Sequence, residues 1–242
     1  MYTGFYSAAS GMVANNRKID VLSNNVANAD TAGYKKDYIV TASFGEHMLA
    51  QNGVNVGNVN YGVRPDATYT SFIQGSENVT GRSLDMLIRG EGFFNVIMPD
   101  GTVWLTRNGQ FELDENGFLV DSRGNMISGA NGPIMVGGAD FTVNENGEIF
   151  RDGVYIDTLL ITCPADYNNL DKVGEGYFVN NGGLNGEFGF SVIPGSKETS
   201  NLNMVDEMAD MIAASRQYQS CAKVVQIFDE IMEKAANQVG KV

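Results

Sequence analysis

Residue types that commonly carry out catalysis or bind metals are sparse in this chain of 242 residues. The single histidine, His47, has no cysteine or second histidine near it in the sequence, so it does not indicate a zinc site. The two cysteines, Cys163 and Cys221, are far apart; they could form one bridge, but two cysteines do not make a disulfide framework. We expect His47 to be a surface or packing residue and both cysteines to be ordinary thiols.

Three short motifs resemble known sites, and each lacks a required part. Residues 90–92 (GEG) begin a dinucleotide-binding pattern, but Asn95 occupies the third glycine position and a strand-like run follows. Residues 220–223 (SCAK) have the spacing of a serine–lysine pair without its companion motifs. Residues 114–117 (DENG) resemble a calcium loop whose glycine comes too early and whose closing glutamate is missing. We therefore predict no enzyme activity, no catalytic residue, no cofactor and no metal.

The charge balance excludes several classes of partner. The formal net charge is −13 and the pI is about 4.4, so the chain would repel the phosphates of a nucleic acid or an anionic membrane. No apolar run approaches the roughly 20 residues of a membrane helix. The N-terminal stretch has no basic residue before Arg17, and Ser, Thr and Gly interrupt its apolar residues, unlike a cleaved secretory signal. We expect no membrane insertion and, if the protein is exported, a route without a cleaved signal peptide.

Both ends of the chain predict long amphipathic helices. Up to about residue 28, steps of three and four residues form a coiled-coil-like seam with one polar member: Phe5, Ala8, Met12, Asn15, Ile19, Leu22 and Val26. From Asn203, the predicted N-cap, the same spacing continues through Met204, Met208, Met211, Ser215, Tyr218, Ala222, Val225, Asp229, Met232, Ala236 and Val239. A second row of apolar residues, which includes Val205, Ile212, Val224 and Ile231, widens this stripe.

The length of the second helix suggests that it has partners outside its own domain. At about 1.5 Å per residue it would be roughly 50 Å long or more, which is longer than a domain of this size covers on one side. We expect much of its apolar stripe to contact something else. For the first helix, packing against its own domain is the simpler interpretation.

The middle of the chain predicts an antiparallel β domain. From Leu84 onward, turn pairs such as Asn108-Gly109 and Asn116-Gly117 separate short β-prone runs, and Asn-Gly is a strong hairpin signal. The predicted fold class is α+β, with a β-rich central domain between terminal helices that pack as a coiled-coil-like assembly domain. The predicted boundaries are 1–35 for the first helix and an Asn-rich motif, 36–80 for an extended connector, 81–197 for the β domain and 198–242 for the last helix.

Three stretches resemble the bacterial flagellar rod and hook family. SNNVANADTAGYKK (23–36) is similar to the family signature that follows the N-terminal helix. The match runs through Leu22, Ser23, Asn24, Asn25, Ala27, Asn28, Thr31, Gly33, Tyr34 and Lys35. QGSENVTGRSLDMLIRGEGFFNV (74–96) resembles the family's passage into its β domain. Residues 200–224 resemble its C-terminal segment, where Arg216-Gln217-Tyr218 matches an Arg-x-Tyr or Arg-x-Phe element.

The resemblance implies a structural subunit of the flagellar basal-body rod, within the cell envelope. Such a subunit self-assembles through its terminal helices into a tubular shaft that transmits torque to the hook, and it passes through the flagellar type III export channel. The implied partners are copies of itself, other rod subunits, the hook protein and, where the envelope has them, ring or bushing proteins. Length favours a rod protein over the hook protein, and we favour the distal rod type. Family members often keep their end helices unfolded until assembly.

The residues expected to take part in assembly come from both ends of the chain. They are the ten signature residues named above together with Met204, Met208, Met211, Ile212, Arg216, Tyr218 and Val225. We interpret the asparagines as partners for backbone groups that lose water at a crowded subunit boundary, where Lys35 and Lys36 would pair with acidic groups of a neighbouring subunit. The alternative is that the stretch only caps the first helix within one monomer.

A different class of function stays open at this point. The chain could be a β-rich surface or carbohydrate-binding module with coiled-coil ends. Such a module would keep its fold and ligand binding without residues 1–35 and 198–242. A hydrolase that uses paired carboxylates is a third class, because two acids can meet in space without leaving a motif in the sequence.

Overall fold

A computed structural model describes residues 2–43, 47–51, 54–59, 62–174, 176–181 and 189–239. The chain forms two compact units. The helical unit comprises Met1–Ala27, Asp37–Ser71 and Asn203–Val242, and the β unit comprises Asn28–Lys36 and Phe72–Leu202. The first part of the Asn-rich motif, up to Ala27, thus lies in the first helix, and its second part, Asn28–Lys36, belongs to the β unit. Most of the predicted connector belongs to the helical unit.

Two long helices form the helical unit together with two small antiparallel sheets. The helices are α1 (Tyr2–Ala27) and α2 (Met204–Val239). The strands of this unit are β1 (Asp37–Ser43), β2 (His47–Gln51), β3 (Val54–Val59) and β4 (Val63–Thr70). β1 pairs with β4, β2 pairs with β3, and α1 packs against α2, β1 and β4. The side chain of His47 lies outside the described part of the chain, so its predicted packing role stays a prediction.

The helices run antiparallel and approach closely where α1 has glycines. A Cβ atom at Gly4 would lie 2.9 Å from the Phe228 ring, and one at Gly11 would lie 3.3 Å from the Cys221 sulfur. Asn203 caps α2 as predicted, because its side-chain oxygen accepts the Val205 N–H at 3.1 Å. These contacts require side chains that are small on α1 and larger on α2.

The predicted apolar stripe on α1 is buried or half-buried along its whole length. On α2 only the middle of the predicted stripe is half-buried, and its described members toward either end are exposed. Every predicted member on α1, from Phe5 to Val26, is buried or half-buried. Asn15 is buried and donates to the Gly11 carbonyl at 2.8 Å, within its own helix. On α2, Met211, Ser215, Tyr218, Ala222 and Val225 are half-buried, but Met204, Met208, Asp229, Met232 and Ala236 are exposed. The side chain of Val239 lies outside the described part.

The β unit consists of short antiparallel strands, which confirms the predicted α+β class. They are β5 (Glu77–Val79), β6 (Met86–Gly90), β7 (Phe93–Ile97), β8 (Val103–Thr106), β9 (Glu112–Leu113), β10 (Leu119–Val120), β11 (Met126–Gly129), β12 (Gly132–Pro133), β13 (Thr142–Val143), β14 (Glu148–Arg151), β15 (Val154–Thr158), β16 (Ile161–Thr162), β17 (Leu170–Lys172), β18 (Tyr177–Asn180), β19 (Phe190–Pro194) and β20 (Ser196–Glu198). The largest sheet has the order β17-β18-β8-β7-β11-β10-β9, with β12 beside β11 and β16 beside β7. Three smaller sheets, β13-β14-β15, β19-β6 and β20-β5, complete the unit.

One predicted hairpin is absent from the β unit. Asn108-Gly109 follows β8, but the next strand, β9, pairs with β10 and not with β8. Gly109 instead lies against the Met86 backbone and accepts the Met86 N–H at 2.9 Å. The glycine is needed here for a close approach of two backbones, because a Cβ atom would collide with the Met86 carbonyl. The Asn-Gly pair correctly predicted an interruption of regular structure at this position, but the predicted hairpin turn does not form here.

Candidate assembly site

Asn25 connects three elements of the helical unit. Its amide oxygen accepts the Asp37 N–H at 3.0 Å, and its Nδ2 donates to the Asp37 carbonyl at 2.7 Å and to Glu207 Oε2 at 3.1 Å. Asn25 and Glu207 are fully buried. One asparagine therefore joins the last turn of α1 to the start of β1 and to the first turn of α2, which needs a side chain that both donates and accepts.

The neighbours of Asn25 in the signature have different surroundings. Leu22 is buried within the helical unit, whereas Ser23, Asn24 and Ala27 have exposed side chains. In the β unit, Asn28 and Thr31 are half-buried, and the Asn28 carbonyl accepts the Thr31 N–H at 3.1 Å. The signature thus contains residues that are buried within the subunit and residues whose side chains are exposed on its surface.

The later part of the signature lies in a tight turn of the β unit. Gly33 has a positive φ of 67°, and a Cβ atom there would lie 2.5 Å from both the Arg107 oxygen and the Asn108 nitrogen. The Gly33 N–H donates to the Glu198 carbonyl at 2.9 Å. The buried ring of Tyr34 has the Lys172 ammonium 4.2 Å from its centroid. Only glycine fits at position 33, because both the dihedral angle and the space exclude a side chain.

A buried charge cluster, Lys35, Arg107 and Glu198, lies behind this turn. Lys35 Nζ donates to Glu198 Oε1 at 2.6 Å and to the Ile73 carbonyl at 2.9 Å, and Arg107 NH1 is 3.5 Å from Glu198 Oε2. Lys35 and Glu198 are each 1 % exposed. Burial lowers the pKa values of Lys35 and Arg107, and the charge of Glu198 opposes both shifts. The cluster joins the segment after α1 to the segment before α2.

The hypothesis that both lysines pair with a neighbouring subunit is wrong for Lys35. Its ammonium group is paired inside the same chain and is inaccessible to another subunit. The backbone N–H of Lys36 donates to the Asn201 side chain at 2.8 Å, again within the β unit. Any role of Lys35 in assembly would act through the shape of its own subunit, and that role stays a prediction.

The predicted residues of α2 fall into two groups. Met204, Met208 and Ile212 are exposed by 38 %, 46 % and 56 %, and Arg216 is also exposed. Met211, Tyr218 and Val225 are half-buried. The exposed apolar side chains form an uncovered surface on the helical unit, which is the property expected of a surface that binds another protein.

Sequence reasoning missed three buried charged residues of this region, Arg107, Glu198 and Glu207. Each is a charged residue whose partners lie far away in the sequence: 163 positions for Lys35–Glu198 and 182 for Asn25–Glu207. From the sequence, Glu207 is simply an acid in the first turn of α2, where its charge is favourable at the positive end of the helix dipole. No local pattern identifies such partners, because the fold brings them together.

Neither metal chemistry nor membrane insertion gains support in the described ranges. These residues include no group of three or more His, Cys, Asp or Glu side chains placed to hold a metal ion. Within the same part of the chain, no helix combines the length and the apolar character needed to cross a membrane.

Three models of flagellar protein families match the chain, and together they cover both ends and the middle. Residues 5–35 match "Flagella basal body rod protein". Residues 87–171 match "Flagellar hook protein FlgE/F/G D1 domain", and residues 193–239 match "Flagellar basal body rod FlgEFG protein C-terminal". The first match ends at residue 35 and contains the matched signature residues, and the last contains Glu198 and all of α2.

Curated relatives align with almost the whole chain. The flagellar basal-body rod protein FlgG of Bacillus subtilis is 30 % identical and covers 98 % of this chain and 99 % of its own. FlgG of Borreliella burgdorferi is also 30 % identical, with 98 % of each chain covered. The flagellar hook-basal body complex protein FlhO of B. subtilis is 29 % identical over both complete chains. The chain therefore belongs to the flagellar basal-body rod protein family.

Proposed function

We propose that this protein is a structural subunit of the flagellar basal-body rod and that it assembles through its helical unit. The observation that carries the proposal is the uncovered apolar surface of α2. Val205, Met208 and Ile212 are 73 %, 46 % and 56 % exposed, and they lie on the helix that the family's C-terminal model matches. Burial of such residues against a neighbour favours association, because it removes apolar surface from water.

The same proposal extends to partners and location. We infer that the chain polymerises with copies of itself and contacts other rod subunits, the hook and, where present, ring or bushing proteins. It would lie in the basal body, reach it by flagellar export without a cleaved signal, and transmit torque. The distal rod type stays a prediction. A purely structural role, without catalysis, is consistent with the family, which does not favour a carbohydrate-binding module.

A complementation experiment tests the proposal. A strain with an in-frame deletion receives the full-length gene, a copy that lacks residues 200–242, or the full-length variant Ile212→Asp. The point variant matters because a truncated chain could fail simply by not folding. Ile212 is exposed, so we expect Ile212→Asp to keep the melting temperature of the monomer and to abolish hooks and swimming.

Met135→Asp is a matched control, because Met135 in the β unit has the same exposure of 56 % as Ile212. We expect this variant to swim. Normal swimming of the Ile212→Asp strain would show that the α2 surface is not the assembly surface. Normal swimming of the deletion strain would contradict the proposed function as a whole.

A further inference from the structure

A groove runs along one side of the α1–α2 pair. At one end it forms a shallow cavity of about 470 Å³ lined by Ala9, Met12, Val13 and Tyr218. A second cavity of about 450 Å³ is lined by Ile19 of α1, which lies in the sequence between two residues of the first cavity, and by Met211 and Ile212 of α2. We call the two together the helix-pair groove. Its floor is largely apolar, and Val13 is 59 % exposed.

The charges beside the groove are mainly positive. Arg17 and Asp20 line the first cavity, and Arg216 lines the second. All three side chains are exposed. A helix that lies in this groove would therefore need an apolar face with acidic residues beside it, which is the usual form of helix-in-groove recognition.

The end of α2 has these properties. Phe228 is half-buried beside Gly4, but every side chain from Asp229 to Asn237 is exposed. Within that stretch Ile231, Met232 and Ala235 are spaced to form one apolar face. Asp229 and Glu233, one turn apart, flank one side of this face, and Glu230 and Lys234 flank the other, so acidic residues outnumber basic ones beside it. We call residues 229–237 the free end of α2.

The free end cannot occupy the groove of its own chain. α2 is one continuous helix, and Met232 lies about 21 Å along its axis from Tyr218, which lines the groove. Because the helices are antiparallel, α2 runs past Gly4 and away from the groove. A second copy of the chain, by contrast, could place its own free end of α2 in this groove, because that segment has the apolar face and the acidic residues that the groove requires.

We propose that the free end of α2 in one copy lies in the helix-pair groove of the next copy. Ile231, Met232 and Ala235 pack onto Met12, Val13 and Ile19, and Asp229 and Glu233 face Arg17 and Arg216. The two surfaces are different, so the contact is heterologous and repeats from copy to copy instead of closing into a dimer. This inference rests on the proposed function, because it specifies how copies of the subunit contact one another.

Cross-linking of mixed variants tests the contact. Two differently tagged copies, each with Cys221→Ser, are expressed together in the deletion strain. One carries Asn16→Cys, at an exposed position that lines the first cavity, and the other carries Met232→Cys. Basal bodies are isolated and mildly oxidised. We expect a disulfide-linked dimer that carries both tags. The control replaces Asn16→Cys by Glu115→Cys, in an exposed turn of the β unit, and should give no such dimer.

Charge reversal provides a second test that does not depend on the cysteines. We expect Arg216→Glu to cause loss of hook-bearing basal bodies and Glu233→Lys in the same chain to restore them. Lys223→Glu, which reverses an exposed charge of α2 that does not line the groove, should assemble normally.

The possible outcomes separate this inference from the proposed function. Linked dimers that carry only one tag, links to a different protein, or no link in a strain that swims would each overturn the proposed contact. In those cases the subunit is still a rod component. If the deletion strain itself swims normally, the proposed function fails first.

Discussion

Lys35 and Glu198 form a buried ion pair, with Nζ and Oε1 2.6 Å apart and both side chains 1 % exposed. Lys35 ends the signature that follows α1, and Glu198 ends β20 just before α2. The same carboxylate oxygen accepts the Gly75 N–H at 2.8 Å, and the other oxygen lies near Arg107. Glu198 thus holds three chain segments of the β unit together.

Replacement of Lys35 by methionine should destabilise the β unit strongly. The change keeps most of the side-chain volume but leaves the buried Glu198 with one cationic partner fewer. Removal of one member of a buried ion pair typically costs about 3–5 kcal/mol. Urea unfolding followed by fluorescence of the single tryptophan, Trp104, which packs against the β core, measures this loss.

The exposed pair Arg89–Glu77 is the matched control for Lys35→Met. Its side chains are 64 % and 34 % exposed, and water screens the interaction. We expect Arg89→Gln to lower the free energy of unfolding by about 1 kcal/mol or less. A similarly small effect for Lys35→Met would mean that the buried pair contributes little.

Asn25→Ala should weaken the helical unit. The variant loses three hydrogen bonds, one of them to the fully buried Glu207, and we expect a loss of about 2–3 kcal/mol. Thermal unfolding followed by helical circular dichroism reports it. Ser23→Ala, at an exposed position two residues earlier, should change stability by about 0.5 kcal/mol or less. Equal effects of the two variants would contradict the role assigned to Asn25.

Gly33→Ala should be poorly tolerated for two separate reasons. The residue has a φ of 67°, and its new Cβ atom would be pressed against the Arg107–Asn108 backbone. We expect a loss of about 3 kcal/mol or more in the free energy of unfolding. Gly124→Ala separates the two causes, because Gly124 has a φ of 83° but no atom within 4 Å of the added Cβ. Only the conformational cost of about 1 kcal/mol should appear there, so similar losses would exclude crowding at Gly33.

Tyr177 should make stability fall at alkaline pH. Burial and a 2.6 Å hydrogen bond to Asp121 raise its pKa from 10 to about 12. Between these values the folded protein holds a proton that the unfolded chain has released, so the free energy of unfolding decreases as pH rises, by on the order of 2 kcal/mol. Urea unfolding at a series of pH values measures the decrease.

Tyr177→Phe isolates this contribution from other groups that titrate in the same range. The variant should be less stable than the native protein near neutral pH, since Asp121 loses a donor, and the difference should shrink as pH approaches 12. A constant difference across the range would show that Tyr177 does not titrate as described.

The sequence by itself determined the helices, the helix start and the turns, because each of these depends on residues that are close together in the chain. Apolar residues spaced by three and four predicted α1 and α2, and Asn203 predicted the start of α2, because helix geometry links residues within one or two turns. Turn pairs predicted a body of short strands. The signature and the two later stretches indicated the family, and the family models and relatives confirm it.

Only the tertiary structure decided which of these residues meet. Periodicity gave α2 one continuous stripe, but α1 covers its middle and leaves Met208, Ile212 and the free end exposed. Asn108-Gly109 became a close backbone approach instead of a hairpin, and Lys35 found its partner 163 residues away in the same chain. Pairings over such separations depend on the path of the whole chain, whereas a sequence pattern records only what lies within a few residues.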